Sequence, residues 1–212
     1  MKTLIKILAI AVATCAVSAY AVPTLTLFDG TSTVTITDGG AGDTCPNAGC
    51  VTWIGAIGVW NLNIDTGFTK PLIGGPTNLK MDLAFAALSN AAGMLTITFS
   101  DDGYTVNGGG IDAIGGTTAF NNVVDNILIN GGVVMTQGPF GPGAFSGTTT
   151  GNITLNPADL IALQVVIGHS GAGMTTGDKS LQVPEGGSAV ALLGMALVGL
   201  EGLRRKIRAR KS

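Results

Sequence analysis

Apolar and polar residues alternate along the middle of the chain, between residues 22 and 182. Trp60, Leu62 and Ile64 share one face of such a stretch, and the same alternation recurs over residues 95–99. Because successive side chains of a β-strand point to opposite faces, a period of two predicts half-buried strands. About ten strands are predicted in this way, over residues 25–27, 34–37, 51–54, 59–64, 81–85, 95–99, 123–129, 133–136, 148–155 and 163–167.

Turn-forming residues separate these segments, as at Asp29-Gly30 and at Asn130-Gly131. Many short strands with turns between them predict an all-β fold, an antiparallel β-sandwich that comprises residues 22–182. Two glycine-rich stretches, residues 107–110 and 138–147, are expected to be loops, and residues 156–160 to open one helical turn. Residues 107–110 lack the lysine and following helix of a phosphate-binding loop.

The first 21 residues have the organisation of a secretion signal. Lys2 and Lys6 precede an apolar stretch, residues 7–17, and Ala19 and Ala21 form a small-x-small cleavage site. This pattern predicts cleavage by signal peptidase after Ala21. The alternative is a lipid-modified Cys15, although the residues before it differ from a lipoprotein signal.

The carboxyl-terminal end carries a short apolar helix over residues 188–203. Its length of roughly 24 Å, at about 1.5 Å per residue, is less than the ~30 Å hydrocarbon core of a membrane. A buried helix of a globular domain is therefore an alternative, but Gly194 and Gly199 are more typical of membrane helices. Six basic residues follow and favour a transmembrane helix with a cytoplasmic end: Arg204, Arg205, Lys206, Arg208, Arg210 and Lys211.

A short motif precedes this helix and consists of Val183, Pro184, Glu185, Gly186, Gly187 and Ser188. The motif, the helix and the basic end together resemble the PEP-CTERM sorting signal of Gram-negative bacteria. The commonest form of that signal has a second proline at the position of Gly186. The resemblance implies processing by an exosortase, a membrane-embedded enzyme, and transfer from the inner membrane to the cell surface or to extracellular material.

The body also resembles a Gly/Thr-rich β passenger domain that occurs with such signals. The resemblance rests on five segments: residues 27–30, 38–43, 67–71, 95–102 and 138–146. It implies location and architecture and no catalytic activity.

Charge is distributed unevenly between the body and the two ends. Between residues 22 and 182 three lysines stand against eleven aspartates, which gives a net charge of −8. A body this acidic argues against nucleic acid as a partner.

Two cysteines remain after removal of the leader, Cys45 and Cys50. An even number in an exported chain predicts a disulfide, and Pro46 and Gly49 favour the turn that it needs. Free thiols, a redox pair or half of a metal site are the alternatives.

Candidate catalytic groups are few. His169 is the only histidine and stands at a predicted strand end, so an edge position is preferred to half of a Ser-His pair. Asp101 and Asp102 are adjacent, so in a strand they would point to opposite faces and could not act as paired catalytic carboxylates. Residues 38–43 offer aspartate oxygens for one structural Ca²⁺ as an alternative to a plain turn; no other metal or cofactor is expected.

These observations favour two functional classes over an enzyme. The first is a non-catalytic surface or extracellular-matrix protein, associated with exopolysaccharide or biofilm. The second is a carbohydrate-binding surface module that uses Trp53, Trp60 or Tyr104 as a platform for sugar rings. Both tryptophans stand among apolar residues of predicted strands, so core packing is their preferred role.

Overall fold

A computed structural model of the chain describes residues 22–120 and 122–184, without the side chains of residues 63–65. Several predictions concern residues outside these ranges: the signal peptide with Cys15, Ala19 and Ala21, the motif from Glu185 onward, the helix over residues 188–203 and the basic end. They stay predictions. In the part of the chain that is described, no helix is long and apolar enough to cross a membrane.

The described chain forms twelve β-strands, and nine of the ten predicted segments fall within one of them; the tenth, residues 59–64, begins one residue before β4. Two strands were not predicted, β7 and β12. The strands are β1 (Thr24–Phe28), β2 (Thr33–Thr37), β3 (Cys50–Ile57), β4 (Trp60–Phe68), β5 (Lys80–Ser89), β6 (Gly93–Asp101), β7 (Val106–Thr118), β8 (Val123–Ile129), β9 (Gly132–Phe140), β10 (Gly143–Leu155), β11 (Ile161–His169) and β12 (Gly173–Gln182).

The strands form two antiparallel sheets of six strands each. The first sheet has the order β2-β1-β6-β11-β8-β9, and the second has the order β10-β7-β12-β5-β4-β3. The inward side chains of both sheets pack into one apolar core, with Phe99 of the first sheet and Leu83 of the second both fully buried. The prediction of an antiparallel β-sandwich is confirmed.

The glycine-rich stretches were predicted wrongly as loops. Residues 107–110 lie in β7, and residues 138–147 belong largely to β9 and β10. A Cβ atom on Gly110 would lie 2.6 Å from Cγ1 of Ile153. The missing side chain lets Ile153 of the adjacent strand lie against the backbone, so this glycine serves packing within a sheet.

The helical turn expected at residues 156–160 is instead a tight turn between β10 and β11. The carboxylate of Asp159 accepts hydrogen bonds from the backbone N–H of Asn156 (2.8 Å) and from the side-chain amide of Asn130 (2.8 Å). The first bond closes the turn and the second connects it to the turn between β8 and β9, so no helix is needed to satisfy these groups.

Candidate functional site

Two of the three aromatic residues considered as a sugar platform lie in the core. Trp60 and Tyr104 are fully buried. The indole N–H of Trp60 donates to the carbonyl of Met94 (3.1 Å), which satisfies its one polar group. The platform hypothesis is therefore wrong for Trp60 and Tyr104, and the preferred role of Trp60 in core packing is confirmed.

Trp53 is half-buried and lies on β3, the outermost strand of the second sheet. Its ring covers Gly55, where a Cβ atom would lie 2.3 Å from Cζ2. Cδ1 of the ring would lie 3.6 Å from a Cβ atom on Gly42, which has a positive φ of 90°. The absence of a side chain at Gly55 thus leaves room for the indole ring at the edge of the sheet, while the positive φ of Gly42 explains the glycine at that position.

Cys45 and Cys50 form the predicted disulfide, with Cα atoms 5.9 Å apart. The loop that it closes is short, so the chain-entropy estimate of its contribution is about 2 kcal/mol.

The aspartates beside this disulfide accept hydrogen bonds from backbone amides. Asp38 accepts from Gly49 (2.6 Å), and Asp43 accepts from Gly39, Cys45 and Thr52 (2.9 Å each). Their oxygens therefore order the loop, which is the role of a turn residue. Among the described residues no group of three or more His, Cys, Asp or Glu side chains could hold a metal ion.

His169 lies at the end of β11 and is nearly buried. Its Nδ1 lies 2.6 Å from Oγ of Ser89, and its Nε2 lies 2.8 Å from Oγ1 of Thr175. A serine and this histidine are thus in contact, an arrangement that the sequence argument ranked below an edge position.

The burial of Ser89 assigns this pair a structural role. The Ser89 hydroxyl is fully buried on β5, and it can also donate to the carbonyl oxygen of Gly171 at 3.0 Å. A nucleophile needs an oxygen that a substrate can reach, and this oxygen has no such access. Burial also lowers the pKa of His169, so the neutral ring links β5, β11 and β12.

Asp101 and Asp102 do not form a pair of catalytic carboxylates. Asp101 is buried, and its carboxylate accepts from Nζ of Lys70 (2.6 Å) and from Oγ1 of Thr69 (2.8 Å). Burial raises the pKa of Asp101, and the hydrogen bonds from Lys70 and Thr69 partly oppose this shift. Asp102 is partly exposed, and its backbone carbonyl also accepts from Lys70.

A second group of buried charges lies between the sheets and was missed from the sequence. It consists of Lys179 on β12, Asp112 on β7 and Asp125 on β8, and the side chains of all three are fully buried. We call these three residues the buried triad. The sequence does contain a sign of this burial. Lys179 shares a strand face with the apolar Leu181, and Asp125 shares one with Val123 and Ile127, so both charges stand at inward positions.

The carboxyl-terminal end of the described chain passes directly from β12 into the predicted sorting motif. The N–H of Val183 donates to the carbonyl of Leu79 (3.0 Å), and the Val183 side chain is buried. The next residue, Pro184, is exposed. Folded structure therefore extends to the first residue of the motif.

A family model of the VPDSG-CTERM motif matches residues 182–207. This match gives the chain a carboxyl-terminal sorting signal of the exosortase type, and the matching model is that of the VPDSG form. Such a signal indicates an exported surface protein that is processed at the membrane by a dedicated sorting enzyme.

The chain was also compared with curated protein sequences and with solved structures. No curated protein sequence matches the chain. The carboxyl-terminal CBM6 domain of LamC, a marine laminarinase from Zobellia galactanivorans, is 11% identical over 62% of this chain and 98% of its own, with a TM-score of 0.29. An isomalto-dextranase from Arthrobacter globiformis, in complex with panose, is 13% identical over 77% of this chain and 30% of its own, with a TM-score of 0.27. These TM-scores carry no argument about function.

Proposed function

We propose that the chain is an exported, non-catalytic surface or matrix protein and that an exosortase processes it at residues 183–188. The match of residues 182–207 to a sorting motif is the observation that carries this proposal. In this scheme signal peptidase removes residues 1–21, the apolar helix holds the chain in the inner membrane, and processing delivers the body to the cell surface or to exopolysaccharide. The same proposal includes two further points: the signal acts as a PEP-CTERM signal does, and the host is a Gram-negative bacterium.

The surroundings of Pro184 support recognition at this point. Pro184 has no N–H to continue a strand ladder, and it follows directly after the backbone hydrogen bond of Val183 to Leu79. An exposed proline directly after a central strand is the point at which we expect a processing enzyme to reach the motif.

Replacement of Pro184 and Glu185 together by alanine is expected to leave export intact and to stop processing. Full-length protein that retains residues 204–212 should then accumulate in the membrane fraction, as seen by intact mass and by immunoblotting in a host with a sorting enzyme. Gln182→Ala is the matched control, because Gln182 is exposed on β12 two residues earlier. If the wild-type protein from that host keeps residues 204–212, the proposal of processing fails.

A carbohydrate-binding role is the second candidate, and the partial exposure of Trp53 favours it. Because Trp60 is fully buried, acrylamide should quench only the Trp53 fraction of the indole fluorescence. We expect a polysaccharide ligand to protect that fraction from quenching, and Trp53→Phe to remove both signals. If acrylamide quenches Trp53 equally with and without exopolysaccharide from the host, this result would count against the role.

A further inference from the structure

The buried triad places one amine against two carboxyl groups in the apolar core. Nζ of Lys179 forms an ion pair with Oδ1 of Asp125 on the opposite sheet, and it lies 3.7 Å from Oδ1 of Asp112 on the neighbouring strand. The three side chains have no exposed surface. Gln137 on β9 connects the two carboxyl groups, since its Nε2 lies 3.1 Å from Oδ2 of Asp112 and 3.2 Å from Oδ2 of Asp125.

The charges of the triad do not balance if all three groups are ionised. Two carboxylates against one ammonium would leave a net negative charge in a region of low dielectric constant, which is costly. Burial raises the pKa of Asp112 and lowers the pKa of Lys179 to about 7. Oδ1 of Asp112 has no hydrogen-bond partner among the described residues. A protonated carboxyl group and a neutral amine are therefore accessible within the triad.

We propose that Lys179 and Asp125 condense into an intramolecular isopeptide bond, with Asp112 transferring the proton. The inference concerns the covalent state of the body and does not depend on the sorting proposal.

The reaction is a condensation without an external reactant. Neutral Nζ of Lys179 attacks Cγ of the Asp125 carboxylate, a C–N bond forms, and the protonated carboxyl group of Asp112 gives its proton to one oxygen of Asp125. Asp112 then accepts a proton from the nitrogen and delivers it to the resulting hydroxyl group, so that the C–O bond breaks, one water molecule leaves and Asp112 is left as a carboxylate. No atom is oxidised or reduced.

The neighbouring polar groups are placed for each part of this reaction. Nζ of Lys179 lies 2.7 Å from the carbonyl oxygen of Asn126 and 3.5 Å from that of Gln164, which can accept its two N–H groups while the lone pair points to Asp125. The amide of Gln137 donates to Oδ2 of Asp125, where negative charge develops in the tetrahedral intermediate. The absence of bulk water from the core then disfavours hydrolysis of the product.

The Lys70–Asp101 ion pair provides an internal comparison. Its carboxylate accepts from Lys70 and from the hydroxyl of Thr69, with Tyr104 beside them, so hydroxyl groups occupy the place that a second carboxyl group has in the triad. We therefore expect condensation at Lys179 and none at Lys70.

The test is the intact mass of the mature body after reduction of its disulfide. The expected mass is lower than that of the sequence by one water molecule, and denatured protein should resist tryptic cleavage after Lys179. Fragmentation should show a branched peptide that joins Lys179 to Asp125. A full mass together with cleavage after Lys179 would overturn the proposal, and a branched peptide that joins Lys179 to Asp112 would contradict the role given to Asp112.

Three variants separate this reaction from other losses of water. Succinimide formation at Asp-Gly sequences also removes water, but only the isopeptide bond is lost in Lys179→Met. Asp112→Asn keeps the shape of the side chain and should give folded protein of full mass; condensation in this variant would refute proton transfer by Asp112. Asp125→Asn should release ammonia and give the same final mass as the condensed wild-type protein. If Lys179→Met does not fold, the other two variants still decide between the outcomes.

Discussion

Asp101→Ala is expected to lower the free energy of unfolding of the body by about 3–5 kcal/mol, the cost of removing one partner from a buried ion pair. The substitution deletes the carboxylate that accepts from Lys70 and Thr69, in a place where these groups are almost inaccessible to water. It also disturbs Tyr104, whose ring lies 4.1 Å from Nζ of Lys70. Urea denaturation followed by far-ultraviolet circular dichroism would measure the effect.

Asp102→Ala is the matched control for this substitution. Asp102 is the next residue and is partly exposed, and it contacts Lys70 through its backbone carbonyl, which alanine retains. A change within about 0.5 kcal/mol is expected, as for other surface substitutions. Equal losses for the two variants would show that the Asp101 carboxylate has no special role in stability.

Gly116→Ala is expected to destabilise the sandwich by about 3 kcal/mol, at the upper end of the usual cost of overpacking. A Cβ atom at this position would lie 2.0 Å from the backbone oxygen of Thr176 and 2.8 Å from Cα of Gly177, both on the neighbouring strand β12. Backbone atoms in the middle of a sheet cannot move aside as a side chain can, so β7 and β12 would have to separate. Thermal and urea unfolding would both report the loss.

Gly115→Ala tests whether this cost arises from the contact or from the loss of glycine itself. Gly115 precedes Gly116 in β7, but its added Cβ would meet only the backbone oxygen of Phe145, at 3.8 Å. An ordinary contact of this kind should leave stability nearly unchanged or slightly raised, because glycine is unfavourable in strands. A similar loss in both variants would contradict the packing argument.

The sequence predicted the sandwich because most inward positions of the strands are apolar and alternate with polar ones. Leu95, Ile97 and Phe99 show this pattern, and all three are fully buried in β6. The glycine-rich strands escaped prediction because glycine is generally depleted from strands. At Gly110 and Gly116 the reason for glycine is a close approach of a neighbouring strand, and this can be recognised only once the pairing of strands is known.

The buried triad escaped prediction for a different reason. A lysine or aspartate within a strand is normally assigned to the exposed face, since such residues are almost never fully buried unless paired. The partners here come from β7, β8 and β12, and more than fifty residues separate Asp125 from Lys179. No local pattern can show that three distant strands bring these charges together.

The position of β12 determines how the body responds to a mechanical load. β12 is hydrogen-bonded to β7 on one side and to β5 on the other, and the chain leaves it directly at Val183 and Pro184. If the tail is held in a membrane, as proposed above, a pull from it would act along a central strand and would load two ladders of hydrogen bonds at once, in shear. An edge strand such as β3 or β10 would instead detach from one neighbour. Under that proposal, attachment through β12 would make the folded body resistant to flow and drag for as long as the tail holds it.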